Sequence, residues 1–134
     1  MSPLSVSEAV AETGLSAHTL RYYEKEMLLY EVPRDSGGRR YYTRELIGAI
    51  KFISALRATG MSIHGIKDYI DLYRRGESTA LQRMGLLLSH EEQVQEQLRE
   101  TRASLDMIRR KIALYQTQLD ASSLSKPLRT RTSS

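Results

Sequence analysis

The sequence of 134 residues contains no cysteine, no tryptophan and a single phenylalanine, Phe52. Without cysteine the chain forms no disulfide, no zinc–thiolate site and no iron–sulfur cluster, and it offers no thiol nucleophile. No apolar run approaches the roughly 20 residues of a membrane-spanning helix, and the amino terminus lacks the features of a signal peptide. We therefore expect one or two small domains in a cytoplasmic protein without a membrane partner, and not a large enzyme.

The excess of positive charge is small but unevenly placed. The chain has 20 Lys and Arg against 16 Asp and Glu, a formal charge of +4. The stretch from Arg34 to Arg44 contains four arginines and a single acidic residue, Asp35. Five of the eight tyrosines lie between Tyr22 and Tyr42, in the same part of the chain. Basic and aromatic residues in one stretch are typical of a surface that contacts nucleic acid, although these tyrosines could instead build a small core.

Two short helices are predicted near the amino terminus. Ser5 and Glu8 have the spacing of a capping box, and Gly14 ends the helix that they start. Ser16 is the N-cap of a second helix, whose buried stripe would be Leu20, Tyr23 and Met27. Two helices joined by so short a turn predict a helix-turn-helix, in which the second helix enters the major groove. The positions of that helix expected to face away from the core are Ala17, His18, Arg21, Tyr22 and Lys25.

A β-hairpin is predicted next. Residues 35–38 read Asp-Ser-Gly-Gly, which is turn chemistry, and short β-prone runs, 30–34 and 39–42, flank them. On a helix-turn-helix module such a hairpin is called a wing, and its arginines reach phosphates or the minor groove. Thr43 then caps a third helix that ends at Gly60, and Ser62 caps a fourth that ends at Gly76.

The clearest periodic signal lies in the last third of the chain. Positions spaced alternately four and three residues apart form a heptad repeat with one polar member. They are Val94, Leu98, Thr101, Leu105, Ile108, Ile112, Tyr115 and Leu119, called the seam below. A helix from about residue 79 to 120 is on the order of 60 Å long, and the fourth helix is too short to cover its seam. We therefore expect a homodimer through an antiparallel coiled coil, followed by a disordered tail over residues 121–134.

Several motifs, in the right order, resemble the MerR family of transcriptional regulators. Residues 16–24, Ser-Ala-His-Thr-Leu-Arg-Tyr-Tyr-Glu, resemble the recognition helix of the family. Residues 38–43, Gly-Arg-Arg-Tyr-Tyr-Thr, resemble its wing motif, and residues 52–63 resemble the helix pair that follows the wing. The resemblance is close over residues 4–75, and it extends to the long helix by architecture.

The resemblance implies a mainly α fold. A winged helix-turn-helix domain with a small β-hairpin wing would occupy residues 1–75, and a linker and long antiparallel coiled-coil dimerisation helix would occupy residues 76–120. The function implied is that of a homodimer that binds a palindrome in a promoter with an overlong spacer. It would distort this double-stranded DNA so that RNA polymerase engages both promoter elements. A bacterial, nucleoid-associated location follows from that function.

The resemblance also assigns the DNA contacts residue by residue. The recognition helix and the wing would contact the DNA backbone, Tyr23 would lie near the central deformation, and Arg57 would bind a phosphate from the third helix. His18 and Thr19 lie where a recognition helix faces base edges. The expected DNA-binding residues are His18, Thr19, Arg21, Tyr22, Tyr23, Arg39, Arg40, Tyr42 and Arg57. Tyr23 and Tyr42 could instead be core residues.

Within the family the chain is most similar to the short-tailed, aldehyde- and electrophile-responsive branch, whose reactive cysteine would fall near Ala55. An effector pocket could lie near Tyr69, Tyr73, Met84 and Tyr115, which could also be core residues. We expect no cofactor and no metal site, since the histidines lack further ligands at metal spacing, and no enzyme, since no nucleophile, base and orienting group cluster. Two alternatives stay open: a constitutive or architectural DNA-binding protein without an effector, and a coiled-coil interaction module.

Overall fold

The computed structural model describes residues 2–29 and 31–125, and most of them are helical. The chain divides into two compact units, Met1–Glu91 and Glu92–Ser134, called the first and second units below. The predicted boundary at residue 75 lies earlier than this division, because the first turns of the last helix belong to the first unit. Within the described residues, no helix is long and apolar enough to cross a membrane.

The two amino-terminal helices form as predicted. α1 spans Val6–Thr13, and its capping box joins the Ser5 amide to Glu8 over 2.9 Å and the Glu8 amide to Ser5 over 3.2 Å. Because the Ser5 amide bonds to the carboxylate, the pKa of Glu8 is lowered from its usual value. α1 ends at Gly14, whose φ of 75° suits a left-handed C-cap. α2 spans Ala17–Lys25 with Ser16 as its N-cap.

The end of α2 differs from the prediction. Leu20 and Tyr23 are buried, whereas Met27 is 62% exposed. α2 has already ended at Met27, which takes a φ of 59°, a left-handed conformation that residues other than glycine rarely adopt. The helical spacing therefore no longer applies there, and the next two residues, Leu28 and Leu29, enter the core instead.

The predicted wing is a turn closed by a single β-bridge, and not a two-stranded hairpin. Arg34 and Arg40 form this bridge. The Tyr41 amide donates to the Pro33 carbonyl over 3.0 Å, but Pro33 has no amide with which to return the bond. The ladder therefore ends after one bridge. Tyr30, where the first arm was expected to begin, lies outside the described residues.

The returning arm of the wing pairs with the amino-terminal segment. Leu4 and Tyr42 form an isolated antiparallel bridge in which each amide donates to the other carbonyl, over 2.8 and 2.7 Å. Both side chains are buried. This pair fixes the residue that precedes Thr43, the N-cap of the third helix.

α3 spans Arg44–Ala58 and α4 spans Ile63–Arg74. Their N-caps are the predicted ones, Thr43 and Ser62, and each hydroxyl accepts a hydrogen bond from the amide three residues further on. One hydrophobic core contains residues from all four helices, α1, α2, α3 and α4. Its fully buried large side chains are Leu20, Leu28, Tyr42, Ile50, Ile53 and Ile66.

A short 3₁₀ helix, Glu77–Thr79, leads into α5, which spans Ala80–Ser125 without interruption. α5 begins close to the predicted residue but continues past Asp120. Residues 121–125, expected to start a disordered tail, are helical, since the first helix-breaking residue is Pro127. The rest of the predicted tail, residues 126–134, lies outside the described residues.

Candidate nucleic-acid interface

The outer face of α2 carries residues expected to contact DNA. His18, Arg21 and Lys25 are exposed, and in the described part of the chain none of them forms an ion pair. Thr19 is half-buried, and its hydroxyl accepts a hydrogen bond of 3.0 Å from the Ser16 hydroxyl. The cap of α2 therefore also orients Thr19, while the two cations remain available to a ligand.

Arg57 of α3 lies close to Tyr22 of α2, although the two residues are far apart in the sequence. The guanidinium carbon of Arg57 lies 5.8 Å from the centroid of the Tyr22 ring. A cation over a ring face is attracted by the ring quadrupole. Arg57 is exposed and Tyr22 is half-buried, so the contact holds the guanidinium beside α2 at the surface. The structure thus brings together two residues that the sequence placed in one site.

Arg40 ties the wing to α2. Its Nε donates to Glu24 Oε1 over 2.7 Å, and the two side chains are 25% and 27% exposed. Among the described residues, the terminal nitrogens of Arg40 have no hydrogen-bond partner, so they can still bind an oxyanion. Sequence reasoning did not select Glu24, although it stands inside the recognition-helix motif and is an acidic residue among predicted cationic contacts.

The tip of the wing is organised by Asp35. Its Oδ1 accepts hydrogen bonds from the amides of Gly37 and Arg39, over 2.9 and 3.0 Å. These bonds favour the carboxylate, the Arg39 amide most, and they lower the pKa of Asp35. The Arg39 side chain is 85% exposed and lies 3.7 Å from the Asp35 carboxylate, a surface ion pair that water weakens. The Arg39 guanidinium is therefore available at the tip.

Tyr23 and Tyr42 are core residues, with exposures of 3% and 0%. The Tyr23 hydroxyl lies 3.4 Å from the Ser54 hydroxyl. The Tyr42 hydroxyl is buried without a hydrogen-bond partner among the described residues. Burial, and next the charge of Glu24, raise the pKa of Tyr42. Their burial favours the alternative stated for them, that they are core residues.

The predicted seam follows one side of the second unit. Val94 is half-buried, and every later member is exposed in the single chain. Its large apolar side chains from Leu98 to Leu119 are 40–59% exposed. Met107 and Leu114 are also exposed, but each stands one residue before a seam member, roughly 100° further round the helix, and so lies outside the apolar stripe. A continuous apolar stripe on a helix that is otherwise charged and polar is typical of a surface that another helix covers.

A cavity of about 370 Å³ lies between α3 and α4. It is lined by Glu45, Ala49, Phe52, Ile53, Tyr69, Ile70 and Tyr73. The Phe52 and Tyr69 rings have their centroids 5.7 Å apart. Tyr69 and Tyr73 are among these lining residues and Met84 is not, while Tyr115 belongs to the second unit. A pocket shared by all four of these residues stays a prediction. In the described ranges, no three His, Asp or Glu side chains are grouped as metal ligands.

Comparison with known proteins gives two family matches. Residues 4–72 match the MerR HTH family regulatory proteins, and residues 47–111 match the family MerR, DNA binding. An HTH-type transcriptional regulator of Haemophilus influenzae is 34% identical over 112 residues, which cover 84% of this chain and 83% of that protein. The regulator AdhR of Bacillus subtilis is 36% identical over 84 residues, which cover 63% of this chain and 60% of that protein.

Two solved structures are similar over most of the chain. HiNmlR, a MerR family regulator lacking the sensor domain and bound to promoter DNA, has a TM-score of 0.83 and 31% identity. That match covers 92% of this chain and 98% of HiNmlR. A MerR family transcriptional regulator from Listeria monocytogenes has a TM-score of 0.83 and 32% identity, with 91% of this chain and 92% of that one covered.

Proposed function

The chain belongs to the MerR family of helix-turn-helix regulatory proteins, and from this membership we propose that it is a homodimeric transcription regulator that binds and distorts promoter DNA. The observation that carries the proposal is the convergence of cations from three elements on α2. Arg21 belongs to α2 itself, Arg57 of α3 lies over Tyr22, and Arg40 of the wing is bonded to Glu24. Cations placed along one recognition helix suit the phosphates on either side of a major groove.

In this proposal α2 lies in the major groove of promoter DNA, where the second helix of a helix-turn-helix binds, and the similar regulator HiNmlR is bound to promoter DNA. His18 and Thr19, in its first turn, face base edges and set sequence preference. The residues that bind the DNA backbone are Arg21, Tyr22, Arg39, Arg40 and Arg57. Tyr23 and Tyr42 act only by packing, since they support α2 and the wing from the core.

A second copy of the chain covers the seam. The eight seam residues keep a heptad spacing over Val94 to Leu119, and apolar side chains so exposed are stabilised when a partner helix buries them. An antiparallel pair has twofold symmetry, which a palindromic DNA element matches. The bound dimer distorts the DNA between its two half-sites, and the distortion costs on the order of several kcal/mol, set by the sequence of the uncontacted steps. RNA polymerase responds to the altered DNA and not to a surface of the protein.

Two versions of the control mechanism remain, each with an observation behind it. The cavity between α3 and α4 would hold a small effector against Tyr69 and Tyr73. Constitutive control without an effector is favoured by the absence of cysteine, since the reactive cysteine implied by the resemblance to the electrophile-responsive branch would fall near Ala55. In either version the protein acts on chromosomal DNA in the bacterial cytoplasm.

The test begins with the full-length chain and a pool of random duplexes. We expect it to select one palindromic sequence and to bend it in a gel-permutation assay. Arg21→Ala should weaken binding to the selected duplex by at least about tenfold, since one charged contact is worth roughly 1.5–3 kcal/mol. Arg110→Ala makes the same charge change on α5 and serves as the matched control, with binding unchanged. A chain that selects no sequence is not a sequence-specific regulator.

Transcription in vitro separates regulation from mere DNA binding. A promoter containing the selected palindrome between its two elements is compared with versions whose spacer is shortened by one or two base pairs. If the protein acts by distortion, its effect on transcript yield changes with spacer length. An effect that is the same at every spacer length, or a complex with straight DNA, contradicts the distortion mechanism and leaves the architectural alternative.

A further inference from the structure

The first three turns of α5 face the rest of the first unit with a mostly polar stripe. Arg83, Leu87 and His90 are spaced four and three residues apart and lie on one face of α5, and Thr79, the last residue of the preceding 3₁₀ helix, stands four residues before Arg83. Among the described residues of α5, only Leu87 packs against the hydrophobic core. A single leucine gives little apolar area to fix the direction of a helix of 46 residues. The polar contacts of this stripe therefore decide how α5 is held.

His90 makes the long-range contact of the stripe. Its exposure is 9%, and its Nε2 lies 2.8 Å from the hydroxyl of Thr59, the C-cap residue of α3. In the described part of the chain, this is the hydrogen bond that joins the body of α5 to α3. Thr79 donates to the Leu72 and Gly76 carbonyls, while Arg83 donates to the Thr79 hydroxyl and the Gly76 carbonyl and lies 5.1 Å from the centroid of the Tyr73 ring. These contacts anchor the start of α5 against the end of α4, whereas His90, two turns further along α5, is bonded to α3.

The geometry assigns the proton in this contact. The Thr59 hydroxyl lies 2.7 Å from the Ala55 carbonyl and 3.2 Å from the Leu56 carbonyl, and both carbonyls can only accept. The single hydroxyl proton therefore points to a carbonyl, and His90 Nε2 is the donor to the Thr59 oxygen. One half-buried hydroxyl thus links the last turn of α3, which contains Arg57, to α5.

We propose that His90 and Thr59 are positioning residues for DNA binding: their hydrogen bond fixes α5 against α3 and thereby sets the half-site spacing that the dimer accepts. The inference rests on the proposed function. Arg57 stands two residues before Thr59 in the same helix end, so a shift of α5 at His90 is a shift relative to a proposed phosphate contact. Because α5 continues unbroken to Ser125, the same helix that is fixed at His90 carries the seam.

The test uses the duplex selected by the wild-type full-length chain, versions with one base pair added or removed at its centre, and an isolated half-site. His90→Leu and Thr59→Val remove the hydrogen bond. They should bind the full site roughly 3- to 10-fold more weakly, the effect of losing one ordinary hydrogen bond, bind the half-site as the wild type does, and lose the preference for one spacing. His90→Gln and Thr59→Ser keep a donor and a hydroxyl, and they should stay within about twofold of wild type.

The outcomes separate this inference from its alternatives. Equal weakening on half-site and full site means a merely structural role, and wild-type spacing preference in both variants overturns the proposal. If His90→Leu does not fold, judged by its circular dichroism, His90→Asn takes its place, since its shorter amide falls short of Thr59. The nitrogen-15 spectrum of the wild-type imidazole should show a proton on Nε2, and a bare Nε2 overturns the donor assignment. A wild-type chain that selects no duplex defeats the proposed function itself.

Discussion

The Nε of Arg40 and the Oε1 of Glu24 lie 2.7 Å apart, and this ion pair fastens the wing to the recognition helix. Arg40 therefore has two roles. Its Nε holds the wing against α2, and its terminal nitrogens can still bind a phosphate. Arg40→Ala removes both, so we expect weaker DNA binding and a fall of about one in the salt slope. Glu24→Gln removes only the orientation, so binding should weaken while the slope stays the same.

Fluorescence anisotropy with a labelled duplex, measured across a series of salt concentrations, gives both quantities for these variants. Arg110→Ala is the matched control for the loss of one positive charge, since Arg110 lies on α5, outside the proposed DNA contacts. If Arg40→Ala leaves the salt slope at the wild-type value, Arg40 serves only to hold the wing.

A variant of Tyr42 tests whether this residue acts by packing in the core or by contacting DNA. Its hydroxyl is buried without a partner among the described residues, and an unsatisfied buried hydroxyl costs about 1–3 kcal/mol. Tyr42→Phe should therefore keep or raise the free energy of unfolding in urea, and it should leave the dissociation constant for DNA unchanged. A fivefold loss of affinity in a fully stable variant contradicts this assignment and returns the hydroxyl to the DNA contacts.

Met27 has a strained backbone conformation, and the fold does not require a methionine at this position. Its φ is 59°, and the left-handed region costs a residue with a Cβ roughly 1–2 kcal/mol. Met27→Gly should raise the free energy of unfolding by about 1 kcal/mol, once the greater freedom of glycine in the unfolded chain is deducted. Met27→Ala removes the same exposed side chain but keeps the Cβ, so it should bring no gain. Thermal melts followed by circular dichroism compare the three proteins.

The capping box of α1 makes stability depend on acid pH. The pKa of Glu8 is lowered from its ordinary 4.5 in the folded chain, because its carboxylate accepts from the Ser5 amide. The stabilisation is therefore fully present above the ordinary value and is lost as the pH falls through the lowered one. Glu8→Gln keeps an acceptor oxygen but not the charge, so its melting temperature should lie below that of wild type at pH 7 and approach it as the pH falls through the lowered pKa of Glu8. A gap that is constant with pH excludes the charge as its cause.

Ile108 stands in the middle of the seam and is 57% exposed in the single chain. Ile108→Asp would place two unpaired charges in a dimer interface, and we expect the dimer dissociation constant to rise on the order of 100-fold. Sedimentation equilibrium measures it directly. Ala113→Asp puts the same charge on the opposite side of α5 and should leave the dimer intact. A wild-type chain that sediments as a monomer at micromolar concentration refutes the seam as a dimer interface.

The helices could be read from the sequence because each start is marked locally. Ser5, Ser16, Thr43 and Ser62 all accept from amides three residues further on, as their spacing predicts. Local signals fail where tertiary contacts decide. Met27 continues a helical stripe in sequence, but Leu28 and Leu29 fill the core in its place, which requires the chain to turn one residue earlier.

Exposure within the candidate site was only partly predictable. His18, Arg21 and Arg57 are exposed as expected, and Tyr23 is buried on the helical stripe of Leu20, as its spacing predicts. Tyr41 and Tyr42 lie outside a helix, so periodicity leaves open which of these two adjacent rings turns inward. The partner of Arg40 was equally hidden, since an ion pair across 16 residues depends on how the wing lies against α2.

The bridge between Leu4 and Tyr42 also affects the order in which the chain folds during its synthesis. Leu4 leaves the ribosome early but has no backbone partner until the residue 38 positions later has emerged. At roughly 5–20 residues per second this delay lasts on the order of several seconds. α1 and α2 can form during that interval from their own caps, but Tyr42 is the largest fully buried side chain among the described residues of the core. We therefore expect the nascent recognition helix to become stably packed only after translation has passed the wing.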